Sequence, residues 1–181
     1  MSAGNTTRLM GLDIDLKLEE IFLKKGKQSR FLKLSLMSCY HHTNMYMDVQ
    51  ATDFCDNVAQ MIKKIPTSYA IIIGSDVNMA IGNSTTEDET NSNFNLIGPH
   101  GNKFRNKRGK KIRNLMYLYN LKSTTTFFDN REKIDAWIHP ATRKDHQLDH
   151  LLISSQHFKL ISRVRRKGDD VYSDHIQLLL N

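Results

Sequence analysis

The sequence has few cysteines and no long apolar runs. Only 2 cysteines occur among 181 residues, and neither Cys39, in a strand-like run, nor Cys55, in a helix-like run, has metal or redox spacing. We therefore expect two buried thiols and no disulfide-linked partner. The apolar runs are far too short to span a membrane, and residues 1–5 lack the charged start of a signal peptide. These absences predict a soluble, intracellular protein that does not bind membranes.

The composition predicts one globular domain with a polyanionic partner. Hydrophobic residues make up 39% of the chain and charged residues 25%, as in ordinary folded proteins. Lysine and arginine number 26 against 19 acidic residues, which gives a net charge of +7 and a sequence pI near 9.4. Because such an excess favours counterion release from a polyanion, nucleic acid is the expected partner, and a nuclear location is consistent with it. Many basic proteins nevertheless bind no nucleic acid.

The stretch from residue 69 to residue 82 changes character at Gly74 and is the first candidate for a functional site. Residues 70–73 form a β-branched apolar run that predicts a buried strand, which Gly74 and Ser75 end. Asp76 and Asn78 follow, two residues apart, so that in an extended chain both side chains point to the same side. A carboxylate can position a water or a metal, and an amide can donate to a phosphate oxygen. A simple turn rich in Asp and Asn is the alternative.

Alternating apolar residues between positions 12 and 40 predict a β-hairpin. The two histidines that follow, His41 and His42, are expected in a solvated loop, because neighbours on an extended chain face opposite ways and cannot share a metal ion. Thr52 is positioned to cap an amphipathic helix that ends before Pro66.

Later segments predict further strands and a polar insertion. Residues 83–95 have no periodicity and are expected to form a mobile loop or insertion. Strands are predicted over residues 121–128, 136–138 and 147–154, and alternation returns at 158–164.

The most basic part of the chain follows a Gly-Pro-His-Gly turn at residues 98–101 and overlaps the start of a helix whose apolar face includes Ile112 and Met116. Cations at a helix start oppose the helix dipole, so helix stability does not explain them. Contact with phosphate groups would explain them, and a solvated surface is the alternative. The candidate nucleic-acid-binding residues are Lys103, Arg105, Lys107, Arg108, Lys110 and Lys111.

Three further polar residues lie in or beside apolar strands near the C-terminus. Asp149 sits within the run Leu148 to Ile153, where a buried carboxylate needs a histidine or arginine partner. Asp174 and His175 open the last apolar segment, where strand ends commonly present functional groups. An aspartate that caps a turn beside an incidental histidine is the competing interpretation.

Three motifs follow one another along the chain in an order known from other proteins. They are Gly74-x-Asp76-x-Asn78, Gln147-Leu-Asp149-His150 and Ser173-Asp174-His175. The chain resembles the endonuclease/exonuclease/phosphatase superfamily over roughly residues 30 to 180. Residues 98–101 and the helix after them look most like the endonuclease domains of non-LTR retrotransposons and their craniofacial-development-protein-2-like relatives.

The resemblance implies an α/β fold of the deoxyribonuclease kind, in which a two-sheet β-sandwich is flanked by helices. Residues 1–29 would be an N-terminal extension with the first hairpin strand, and residues 30–181 the C-terminal two-thirds of the domain. The implied activity is Mg²⁺-dependent (or Mn²⁺-dependent) hydrolysis or nicking of DNA.

Each site residue takes a role from the resemblance. Tyr40 would contact the phosphate, Asp76 would orient the attacking water, and Asn78 would hold the phosphate. Asp149 would orient His175, which would grip the phosphate or manage the proton. The implied metal site includes Asp174.

The chain departs from the family pattern before Tyr40. Members of the family carry an N-terminal strand with an asparagine, followed by a glutamate that binds the metal. Neither motif is found here, and the surroundings of Glu19 and Glu20 do not match the glutamate motif. We therefore expect a domain that is incomplete at its N-terminus and binds a metal weakly or not at all. The missing strands should also leave a sheet edge and an apolar face uncovered. The alternatives are a non-catalytic nuclease-fold domain that binds nucleic acid or a protein, and a phosphatase acting on a small substrate.

Overall fold

A five-stranded mixed sheet forms the centre of the fold in the computed structural model, with strand order β1-β2-β3-β7-β4. The structure describes residues 8–17, 31–41, 48–85, 95–128, 137–138, 145–167 and 177–180. The strands of this sheet are β1 (Arg8–Lys17), β2 (Phe31–Tyr40), β3 (Ala70–Asp76), β4 (Leu121–Ser123) and β7 (Asp149–Ser154). Two short antiparallel ladders join β5 (Trp137–Ile138) to β6 (Asp145–His146) and β8 (Val164–Lys167) to β9 (Gln177–Leu180). The sheet and its helices confirm the predicted α/β class.

The first two strands pair as the sequence predicted. β1 runs antiparallel to β2 in a ten-residue register from Arg8 opposite Tyr40 to Lys17 opposite Phe31. β2 and β3 are parallel, and helix α1 (Asp48–Lys64) lies between them in the chain, since a parallel pair needs a crossover connection. The turn predicted between β1 and β2 lies outside the described residues.

Helix α1 begins earlier than its sequence suggests. The predicted cap, Thr52, lies inside the helix, which starts at Asp48. Ala51 is completely buried, so packing favours the additional turn, and the Thr52 hydroxyl instead accepts a hydrogen bond from the Lys111 ammonium. The predicted apolar face and the end before Pro66 are confirmed.

One face of the sheet packs against α1 and α2 (Lys107–Tyr119). This core contains Met37, Cys39, Ile73 and Leu152 from the sheet and Phe54, Val58, Ile62, Ile112, Leu115 and Met116 from the helices. Burial raises the pKa of the Cys39 thiol to about 12 and that of the Cys55 thiol to about 11. Both are free, buried thiols, as the sequence predicted.

Two apolar side chains in the first half of β1 are open to solvent. A Cβ atom on Gly11 would lie 3.4 Å from Met61 Cε of α1, and Leu9 packs against the same core, so these two positions face the helix. Met10 and Leu12 point the other way and are 66% and 60% exposed. The apolar face that was expected to be uncovered is therefore present here.

Two predicted strands are shorter than expected. The strand predicted over residues 121–128 stops at Ser123, and Thr124–Thr126 form a 3-10 turn. The threonine hydroxyls explain the change, because Thr124 Oγ1 donates to Leu151 O at 2.8 Å and Thr126 Oγ1 donates to Ser123 O at 2.8 Å. The strand predicted over residues 147–154 begins at Asp149.

The alternation at residues 158–164 does not correspond to a strand. Ser155–Leu160 form a 3-10 helix, and the next strand starts at Val164. Most of the predicted loop at residues 83–95, namely 86–94, lies outside the described residues. Neither of the two described helices combines the length and apolar character that crossing a bilayer requires.

Helix α2 is joined closely to the segment after β3. Asn106 caps the helix by accepting a hydrogen bond from Gly109 N at 2.7 Å, and its own N–H donates to Ala80 O at 3.2 Å. A Cβ atom on Gly109 would lie only 1.7 Å from Ala80 O, so no larger residue fits without moving the helix.

Replacing Gly109 with alanine should therefore lower the free energy of unfolding by about 3 kcal/mol, measured by urea denaturation. Gly74→Ala is the matched control, because its Cβ would lie 3.7 Å from Leu151 Cδ2, an ordinary contact. We expect that variant to stay within about 1 kcal/mol of wild type. Equal losses in the two variants would contradict the proposed close approach of α2 to Ala80.

Candidate active site

Three polar side chains lie in one row at the end of neighbouring strands. Tyr40, the last residue of β2, is paired with Asp76, the last residue of β3, and Asp76 is paired with Asp149, the first residue of β7. Directly paired residues project from the same face of a sheet with Cβ atoms about 5 Å apart. The strand pairing thus brings together three of the residues that the sequence predicted for the site.

Asn78 joins this row through a change in backbone direction. The strand continues through Gly74 and Ser75 to Asp76, beyond the predicted end, and Asn78 then adopts a left-handed conformation with φ of 51°. Asparagine tolerates this conformation better than most residues. Its Nδ2 donates to His41 O at 3.1 Å and to Asp76 Oδ1 at 3.4 Å. The amide therefore holds the Asp76 carboxylate and the chain that leaves β2.

The prediction that His41 lies in a solvated loop is wrong, since the residue is only 2% exposed. The ladder between β2 and β3 extends past Tyr40, and His41 N donates to Asp76 O at 2.9 Å. The imidazole packs edge-on against Phe54 of α1, with ring centroids 5.2 Å apart. His42 lies outside the described residues.

The row places two carboxylates directly opposite each other. Asp76 and Asp149 are both half-buried, so Asp149 is less enclosed than its apolar neighbours suggested. Paired like charges destabilise a sheet, and a bound cation would offset that repulsion. No group of three or more His, Cys, Asp or Glu suited to a metal ion occurs in the part of the chain that the structure describes. Two carboxylates nevertheless fit Mg²⁺, which commonly takes one or two from the protein and its other ligands from water and substrate phosphate.

Asp174 and His175 lie outside the described residues. Three statements therefore remain predictions: that Asp174 binds the metal, that His175 is catalytic, and that His175 pairs with Asp149.

His150 is a residue that sequence reasoning missed. It follows Asp149 in β7 and so points to the opposite, buried face, where its Nε2 donates to Met79 O at 2.7 Å. Burial lowers the pKa of His150 to about 4, and the hydrogen bond to the Met79 carbonyl opposes this shift. The neutral ring thus ties β7 to the residue after Asn78. The alternation of the strand was the signal, because it assigns adjacent polar residues to opposite faces.

The predicted nucleic-acid-binding cations lie on the loop before α2 and on its first turns. Lys103, Arg105, Lys107 and Lys110 are exposed, and Arg108 and Lys111 are half-buried. Arg105 pairs with Ile81 in an isolated β-bridge, which places the basic loop beside the chain that follows Asn78.

Arg113 belongs to the same basic run but has a structural position. It is 4% exposed and donates to Ile81 O at 2.9 Å and to Asn83 O at 3.4 Å. Lys111 likewise contacts Thr52 of α1. The cations therefore divide between those that hold the helix in place and those that face solvent.

Comparison with solved structures identifies the type of fold. The endonuclease domain of TRAS1, a telomere-specific non-LTR retrotransposon, superposes with a TM-score of 0.56 at 19% identity, over 85% of this chain and 59% of that one. The 3'-5' exonuclease NExo from Neisseria meningitidis superposes with a TM-score of 0.55 at 12% identity, over 81% of this chain and 60% of that one. A structure of 3' phosphatase NExo from Neisseria, bound to a product DNA hairpin, superposes with a TM-score of 0.55 at 12% identity, over 93% of this chain and 69% of that one.

These likenesses show an endonuclease/exonuclease/phosphatase-type fold, as the sequence resemblance implied. The chain spans about three-fifths of the length of the first two structures, with coverage of 59% and 60%. No protein-family model matches the sequence, and no curated protein matches it either. The protein is thus a nuclease-fold domain at the level of architecture.

The buried neutral His150 predicts a loss of stability in acid. Its pKa in the folded state, about 4, lies below the value of 6.5 expected after unfolding, so the unfolded chain binds more protons between these pH values. Stability due to this ring is complete above pH 6.5 and should fall by about 3 kcal/mol as the pH drops to 4.

Urea unfolding of wild type and His150→Gln at pH 7.5, 6, 5 and 4 measures the effect. Glutamine retains an N–H donor for Met79 O but does not titrate, so the difference between the two proteins isolates the ring. Parallel loss of stability in both proteins would show that His150 is not buried in the neutral form.

Proposed function

We propose that this chain is a metal-dependent phosphodiesterase domain of the retroelement endonuclease type that nicks or hydrolyses DNA. The observation that supports the proposal most directly is the row formed by Tyr40, Asp76 and Asp149 at adjacent strand ends. The exposed cations beside the segment after Asn78 provide a surface for a polyanionic substrate.

In this proposal, Asp76 accepts a hydrogen bond from the attacking water and orients it toward the phosphorus. The hydrogen bond from Asn78 to Asp76 Oδ1, at 3.4 Å, supports that role because it restricts the carboxylate to one orientation. The amide has its Nδ2 group directed at His41 O and Asp76, so we propose that it acts mainly by positioning Asp76. Tyr40, which is 37% exposed, has a hydroxyl able to donate to a phosphate oxygen.

Asp149, Asp174 and His175 complete the proposed site. Asp149 would orient the His175 imidazole and hold it in one tautomer, and His175 would bind the phosphate or transfer the proton. Asp174, with help from the carboxylates of the row, would hold Mg²⁺ or Mn²⁺. When bound, the ion would stabilise the negative charge that develops on the phosphate oxygens.

Nicking of supercoiled plasmid in the presence of Mg²⁺ tests this function. Wild type should convert the plasmid to nicked circle, EDTA should stop the reaction, and Asp76→Ala or His175→Ala should slow it about a hundred-fold or more. Leu118→Ala is the control, because Leu118 is a 72% exposed residue of α2 with no part in the proposed site. Equal amounts of nicked circle from wild type and the Asp76 and His175 variants would contradict the catalytic proposal.

A non-catalytic DNA-binding domain is the second candidate. It is favoured by the exposed cations on the loop beside the segment that follows Asn78. Fluorescence anisotropy with a labelled duplex at several salt concentrations, taken together with the nicking assay, separates the two candidates. Changing Lys107, Arg108 and Lys110 to glutamine should make the salt slope shallower by about 0.9 for each phosphate that these cations neutralise. Such binding by wild type without any nicking would select this candidate.

A further inference from the structure

The loop that connects the site to α2 is held in place at its start. Gly98 N donates to Thr126 Oγ1 at 2.7 Å, and His100 N donates to Thr126 O at 2.9 Å. A Cβ atom on Gly98 would lie 2.2 Å from Thr126 O, so the loop needs glycine to pack against the threonine turn. Asn102 N then donates at 3.3 Å to Gln147 Oε1, which is two residues before Asp149. The first half of the loop is thus fixed to the 3-10 turn after β4 and to the segment that leads into β7.

The second half of the loop is fixed to the chain after Asn78. Arg105 forms its β-bridge with Ile81, and Asn106 N donates to Ala80 O at 3.2 Å. Between these anchors, Phe104 N donates to Asn102 Oδ1 at 2.8 Å, which closes a local turn. The Phe104 ring is nevertheless 51% exposed. Its exposure therefore occurs on a well-anchored loop rather than at a frayed end.

The surroundings of Phe104 have the chemistry of a nucleic-acid contact. Lys103 and Arg105, its neighbours in sequence, and Lys107, which starts α2, are all exposed. An exposed aromatic residue flanked in sequence by exposed cations matches the two halves of a single-stranded nucleotide, since cations attract the phosphate and an aromatic ring stacks on the base. A protein partner with an apolar surface would gain little from the cations.

We propose that Phe104 is a stacking residue that binds an unpaired or displaced base next to the phosphate at the site. This inference rests on the proposed DNA substrate and makes it more specific, because it favours single-stranded or distorted DNA over a regular duplex. The anchors on both sides of Phe104 hold the backbone that carries the ring in place before binding, which lowers the entropy cost of ordering the loop.

Binding of the full chain to a fluorescein-labelled dT oligonucleotide and to a blunt duplex, measured by anisotropy without metal, tests the inference. Phe104→Ala should weaken binding to the oligonucleotide about ten-fold, with an unchanged salt slope, and should change duplex binding by less than two-fold. Phe104→Tyr should bind the oligonucleotide as tightly as wild type does, whereas Phe104→Leu should bind as weakly as Phe104→Ala, because stacking requires an aromatic ring. Leu118→Ala, which removes a comparably exposed apolar side chain, should bind as wild type does.

The outcomes separate this inference from the proposed function. Salt-dependent binding by wild type that Phe104→Ala leaves unchanged would overturn the stacking role alone. Full retention by Phe104→Leu, or equal weakening for duplex and oligonucleotide, would also overturn it, because both point to an apolar or general contact. If wild type bound neither DNA, the proposed substrate itself would be wrong. Circular dichroism of each variant checks that the fold is intact.

Discussion

The register between β2, β3 and β7 is the constraint on which the candidate site depends. A shift of one residue in either pairing would send Tyr40 or Asp149 to the opposite face and separate it from Asp76. The helix-facing side of the sheet prevents such a shift, because Met37, Cys39, Ile73 and Leu152 would leave the core together. Burial of apolar groups on one face therefore fixes polar groups on the other. The site residues need contribute little to stability themselves.

Polar contacts around the end of the row complete what the apolar core begins. His150 links β7 to Met79, Asn78 links the turn after β3 to His41, and Arg113 links α2 to Ile81. All three bond to backbone groups of the short segment that follows Asp76 or of the chain that faces it. That segment has little regular structure of its own, so side chains satisfy its backbone groups. The Arg113 contact, with the β-bridge between Arg105 and Ile81, also holds the basic loop against this segment.

Much of this arrangement could be predicted from the sequence because it follows from periodicity. Alternation in residues 12–40 and the helical period after residue 52 predicted a strand pair and a helix that the structure confirms. The order of the motifs predicted the nuclease-type fold, which the structural likenesses confirm. The spacing of Asp76 and Asn78 predicted convergence, and the two side chains do meet, although through a left-handed residue rather than through an extended chain.

The failures have local physical causes that periodicity does not report. Residues 121–128 look like a strand because threonine and phenylalanine favour strands, yet the threonine hydroxyls bond to nearby carbonyls and turn the chain. His41 looks like a loop residue because it is polar and adjoins another histidine, but the strand ladder carries it into contact with Phe54. Arg113 continues the basic run in sequence, and only its tertiary contacts distinguish it from the exposed cations. In each case a contact with a more distant part of the chain contributes, namely with Leu151, Phe54 or Ile81.

Titration of the ¹⁵N-labelled chain with Mn²⁺, followed by NMR line broadening, tests the central claim that three strand ends form one metal- and phosphate-binding site. We expect the amide signals of residues 40, 76, 78 and 149 to broaden together at the lowest Mn²⁺ concentrations, along with those of residues 174 and 175. Asp76→Asn should shift this broadening to higher concentrations. Broadening that begins elsewhere, or that reaches only one of the three strand ends, would contradict the account.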